Sequence, residues 1–156
     1  MAISIAEKVA ALGHKLPEVT SPIANYVSRN RSGNLLFIAG QVSVLPPVAS
    51  GPGWVGAEPD IDQGRKAACS AALGLLAQIS AATDGRITAV RRILRLGVFV
   101  AASPDFTRHS EVANGVSDLI VAVFGDAGRH VRTAVGVASL PRGAAVEVDA
   151  IVELEE

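Results

Sequence analysis

Apolar residues recur along the chain at helical and strand spacings, and these divide it into elements. Ile5, Val9 and Leu12 predict a short helix over Ser4–Leu12, which Gly13 ends. A proline-containing connector, Leu16–Ile23, leads to a predicted strand around Asn25–Ser28. Arg31-Ser32-Gly33-Asn34 has turn chemistry and Leu35–Ala39 is an apolar run of strand length, so the region reads as a hairpin. Val44–Pro59, rich in proline and glycine, reads as a loop in which Trp54 packs. From Asp60, taken as a helix cap, Ile61, Ala68, Ala71, Ala72, Leu75 and Ile79 form one stripe at the 3.6-residue period, closed by Asp84-Gly85. A strand over 89–101 follows. Ser103 as cap and Pro104 at the first helical position open a second helix, striped by Val112, Val116, Leu119, Ile120 and Val123 and stopped by Gly125. Thr133–Leu140 and Val146–Leu154 are the last strands, joined by Pro141–Ala144 as a hairpin.

After the N-terminal helix the order is β-β-α-β-α-β-β, an α+β fold. Two helices can cover one face of such a sheet and leave the other for something else to bury. With hydrophobic residues at 49% but aromatics at only 4%, the apolar content is mainly Ala, Val, Leu and Ile, which suits close packing between strands and subunits. The 156 residues fit one core. A net charge of −1 supplies no basic footprint for nucleic acid. Cys69 is the single cysteine, so an internal disulfide is excluded, and its place among alanines predicts a buried, inert thiol. No run reaches membrane-spanning length, and no signal-peptide core follows Lys8, so a reducing cytoplasm is the expected setting.

Phosphate-binding loops, dinucleotide fingerprints, metal-spaced His/Cys sets and a hydrolase serine elbow are all missing from the sequence. His14, His109 and His130 are scattered and read as surface or interface residues rather than catalytic bases. Arg132 stands where a Gly/basic segment enters an apolar strand. It could grip a carboxylate through two parallel hydrogen bonds, although the residue alone favours a solvated strand-end charge. With a hairpin turn at Arg142-Gly143, Arg132, Ala134, Gly136 and Ala138 share a face with Glu147 and Asp149. Glu147 would then pair near Ala138, roughly 20 Å from Arg132 at about 3.3 Å per residue. A site using both residues would form between chains, or across a bulge.

The segment Arg132–Pro141 followed by Val146-Glu147-Val148-Asp149-Ala150 resembles the C-terminal signature of the Rid (reactive intermediate deaminase, YjgF-like) family. Ala39-Gly40-Gln41-Val42 and Asn25-Tyr26 are similar to further family segments, and Asn114 lies at the family's distance before Arg132. The resemblance runs from Ile23 to the C-terminus; residues 1–22 look like the added helix and connector of one branch, and 23–156 like the family's α+β domain. It implies a chorismate-mutase-like mixed sheet with two helices on one face. It also implies a homotrimer with clefts between subunits, and hydrolysis of enamines and imines to 2-oxo acids and ammonia without a cofactor. Its partners would be a small imino or 2-oxo acid and further copies of the chain, with neither nucleic acid nor membrane. By matching position, Arg132 would bind the substrate carboxylate, Glu147 would activate water, and Tyr26, Asn114 and Ala134 would line the cleft. Gly40 and Gln41 would be structural. Ala134 replaces a common cysteine, while Gly136 and Gly74 replace larger residues, which suggests a roomier pocket. A non-catalytic metabolite- or partner-binding trimer is the alternative, and a ribonuclease is a third reading that the charge opposes.

Overall fold

The structure, a computed structural model, describes residues 3–19, 21–44 and 60–156. Its main elements are α1 (Ile5–Ala11), β1 (Arg29–Ser32), β2 (Leu35–Val42), α2 (Asp60–Ala82), β3 (Val90–Ala101), α3 (His109–Phe124), β4 (Val131–Val137) and β5 (Val146–Leu154). The five strands form one mixed sheet in the order β1-β2-β5-β3-β4. The expected α+β order is therefore present, with α2 and α3 on one face.

The core lies between that face and the helices. Leu36, Ile38, Leu96, Val98, Val100, Val146, Val148, Ala150 and Val152 meet the stripes Leu75, Leu76, Ile79 and Val112, Val116, Ile120. Serine and glutamate three residues apart begin α1 as a capping box: Ser4 Oγ accepts from the Glu7 amide while Glu7 accepts from the Ser4 backbone. That fixes a short helix whose Ile5 and Val9 are wholly buried in the same core. Gly115 lets α3 approach α2, since a Cβ there would collide with the Arg65 carbonyl.

The structure differs from the sequence reading in element bounds and in one strand pairing; β4, for example, is Val131–Val137 rather than Thr133–Leu140. The first strand is Arg29–Ser32, four residues later than predicted, because Gly33 takes the left-handed turn (φ 58°) and Ser32 pairs with Leu35. The second helix starts at His109 rather than at Ser103-Pro104; Ser103 instead closes a tight turn, its carbonyl accepting from the Phe106 amide. The expected β4–β5 hairpin does not form. β4 runs parallel to β3 on the sheet edge, and β5 lies between β2 and β3, antiparallel to both. The chain thus makes a β3-α3-β4 crossover, and β5 fills the slot left open between β2 and β3. The burial patterns agree: every second residue of β5 is buried, whereas β4 has only exposed and half-buried residues. Trp54 and most of the Pro/Gly loop lie outside the described residues. No helix among the described residues is long and apolar enough to cross a membrane.

Candidate functional site

The expected site residues form two groups on opposite faces of the sheet. Arg132 pairs in register with Leu96 and Ala134 with Val98, so both point toward the helices. Glu147 pairs with Phe99 and points to the uncovered face. The expectation that Arg132 and Glu147 share a face is therefore corrected: it rested on the β4–β5 hairpin, and inserting β5 two strands away from β4 reverses it.

Arg132 is held by α3. Its Nη1 donates to Asn114 Oδ1 and to Ser117 Oγ, each at 3.0 Å, and its Nη2 donates to the Ser110 carbonyl at 3.2 Å. Asn114 and Ser117 lie three residues apart and so share one helix face. A guanidinium has five N–H donors. Three are engaged, and among the described residues the Nε hydrogen and one on Nη2 have no partner. Nε and Nη2 border the guanidinium edge that takes a carboxylate in two parallel bonds. Behind Arg132, Ser117 Oγ lies 2.9 Å from His130 Nε2, and His130 Nδ1 lies 2.6 Å from the Gly128 carbonyl. Burial pushes His130 below its ordinary value, against the pull of the Gly128 hydrogen bond and with help from the Arg132 charge. Ser117, Val121, Arg129, His130 and Arg132 line a cavity of about 580 Å³.

On the other face, Glu147 sits against Gly40, where a Cβ would collide with its carboxylate. Burial, and then the charge of Asp149, push the Glu147 carboxyl up. Asp149 is itself paired with Arg95 at 2.9 Å. Tyr26, exposed by 57%, joins Glu147, Gly40, Gln41, Ser70 and Arg142 around a cavity of about 430 Å³. One wall is the N-terminal connector, including Pro17 and Pro22.

The structure thus brings Arg132, Asn114 and Ala134 together, and separately Tyr26 and Glu147 with Gly40 and Gln41. Ser110, Ser117, His130 and Arg142 were missed. The three-residue spacing of Asn114 and Ser117 in α3 was the available signal, and His130 is half-buried at the edge of the cavity that Arg132 lines. Of the two glycines read as enlarging the pocket, Gly74 lines the cavity beside Glu147 and Gly136 lies against His109. The space of a Gly136 side chain is filled by the His109 ring, and a Cβ on Gly74 would meet Gln41 Cβ at 3.3 Å. Cys69 is half-buried, and burial pushes its thiol up.

The fold agrees with what the chain is similar to. Residues 6–154 match the family model described as "YjgF/chorismate_mutase-like, putative endoribonuclease". The chain belongs to that YjgF/chorismate-mutase-like family. It is 48% identical to protein TCP17 of Trypanosoma cruzi over 96% of this chain and 94% of that protein. A crystal structure of an Agrobacterium tumefaciens protein of unknown function superposes with a TM-score of 0.85 at 42% identity, covering 97% and 94% of the two chains. The YjgF gene product of E. coli, at 21% identity and a TM-score of 0.59, shares the fold over 97% and 98%.

Proposed function

We propose that the protein hydrolyses reactive enamines and imines of small 2-oxo acids to the 2-oxo acid and ammonia, in clefts between the subunits of a homotrimer. The observation that carries this reading is Arg132, a guanidinium fixed by three acceptors with its Nε left without a partner among the described residues. The Nε–Nη2 edge holds a carboxylate and presents the adjacent imine carbon to water. Once an enamine has tautomerised to its imine, Glu147 of a neighbouring copy takes a proton from the attacking water and passes it to the nitrogen, giving a carbinolamine. Glu147 then relays the hydroxyl proton to the same nitrogen as the C–N bond breaks and ammonia leaves. Its raised pKa suits both directions of transfer. Tyr26 and Gln41 line the cleft beside it, and water is the one co-reactant. Because Arg132 and Glu147 lie on opposite faces, each copy offers half of a site, which favours an assembly in which one chain's β4 side meets the next chain's open face.

The test is ammonia or pyruvate release from 2-iminopropanoate generated in situ. Wild type accelerates release, and Arg132→Ala loses about 100-fold or more in kcat/KM, the scale of a lost charge-assisted carboxylate grip. If wild type matches the uncatalysed rate, the deaminase reading is wrong. Saturable pyruvate binding without turnover would then assign a metabolite-binding trimer.

A further inference from the structure

We infer that His130 and Ser117 are positioning residues that hold Arg132 with its Nε–Nη2 edge facing outward. The inference rests on the proposal that Arg132 binds a carboxylate, but not on turnover. A serine hydroxyl has one hydrogen. For Ser117 Oγ to accept from Arg132 Nη1 at 3.0 Å, that hydrogen must point elsewhere, and His130 Nε2 lies 2.9 Å away. The His130 tautomer is fixed from its other side. The Gly128 carbonyl can only accept, so Nδ1, at 2.6 Å, carries the proton and Nε2 keeps a lone pair for Ser117. Hydrogen bonds therefore run in one direction, from Arg132 to Ser117, to His130, to the Gly128 backbone.

This chain of bonds meets Arg132 at Nη1, the corner opposite the Nε–Nη2 edge. The brace stands behind the guanidinium and a ligand in front, so the two do not compete. The neighbouring charges are engaged with each other: Arg129 pairs with Asp126 at 3.3 Å and Asp118 with Arg65 at 3.8 Å. Without an acceptor at His130, the Ser117 hydroxyl turns to its own helix backbone, as serines in helices do, and the Arg132 corner loses a fixed partner. The cost falls on ligand affinity rather than on the chemical step.

The full-length chain is titrated with pyruvate and assayed with 2-iminopropanoate, as wild type, His130→Leu, His130→Gln and Ser117→Ala. His130→Leu and Ser117→Ala are expected to raise the pyruvate Kd and the KM about tenfold, the scale of one lost hydrogen bond, with kcat held within about twofold. His130→Gln restores most of the affinity, because its amide oxygen can accept from Ser117. In wild type, nitrogen NMR finds His130 protonated on Nδ1. An unchanged Kd in His130→Leu, equal loss in the Leu and Gln variants, or a proton on Nε2 overturns the inference while leaving the deaminase reading intact. Pyruvate binding without turnover does the reverse. If wild type neither binds pyruvate nor accelerates 2-iminopropanoate hydrolysis, the grip itself is absent and both fall.

Discussion

At four positions a missing Cβ makes room for the polar side chain of another residue. Gly40 lies under the Glu147 carboxylate, Gly97 under Asp149, Gly136 under the His109 ring, and Gly74 against Gln41. Gly40 is the one that touches a proposed catalytic group. Because the colliding atoms of Glu147 are the end of a flexible side chain, Gly40→Ala displaces the carboxylate and leaves the backbone in place. Stability should change by less than about 1 kcal/mol, whereas misplacing a reacting group costs roughly 10–100-fold in kcat/KM. The pH profile identifies the cause. The Glu147 pKa lies above 4.5, so the base form, and with it kcat/KM, is lost as pH falls through that raised value. In Gly40→Ala the carboxylate moves toward water and the acid limb should shift down toward 4.5; a full-rate variant with an unshifted limb would contradict this. None of these four contacts was legible in the sequence, since each joins residues from separate elements. Arg132, Asn114, Tyr26 and Glu147 were legible, but through family resemblance, because nothing in their spacing brings them together.

Among the elements, the longest-range consequence belongs to β5. Its alternation of Val146, Val148, Ala150 and Val152 with charged or half-covered residues identified a strand, but alternation is silent about which neighbours a strand takes. The Pro141–Gly143 turn, with Arg142 at φ 59°, looked sufficient for a hairpin, and the chain uses it to cross the sheet instead. What decides the matter is the pair of helical crossovers, which make β2, β3 and β4 mutually parallel and leave an antiparallel slot for β5. Those crossovers depend on α2 and α3 packing closely, and Gly115 is a point of close approach between them. A Cβ there meets the Arg65 backbone, which cannot swing aside as a flexible side chain can. Gly115→Ala should therefore cost about 1–3 kcal/mol of overpacking, read as a lower urea midpoint with an unchanged slope. A midpoint within error of wild type would mean that the helices separate without penalty. Because α3 also carries Asn114 and Ser117, the same variant should weaken pyruvate binding.

At the scale of the molecule, the described residues cover one face of the sheet with helices and leave the other bare. Phe37 (41% exposed), Val135 (40%) and Val131 (69%) lie on the bare face with half-buried Phe99 and Ile151, and the Arg95–Asp149 and Arg91–Glu153 ion pairs share that face. Apolar rows rimmed by charge are ordinary at subunit contacts and unusual on monomers. Glu147 shares that face while Arg132 lies across the sheet, so the proposed cleft takes its two charged groups from two chains. Complementation decides between this arrangement and a site within one chain. Arg132→Ala and Glu147→Gln are each expected to be nearly inactive alone. In a trimer containing both variants, one cleft joins an intact Arg132 from one subunit to an intact Glu147 from the next. Random 1:1 assembly makes about three-quarters of trimers mixed, with one good cleft in three, so roughly a quarter of wild-type activity should return. Mixing folded homotrimers without dissociation should recover nothing, which separates shared clefts from simple addition of residual rates. If co-assembled variants stay inactive although mass measurement confirms mixed trimers, Arg132 and Glu147 do not serve one cleft, and Arg132 would keep its carboxylate without Glu147 as its base.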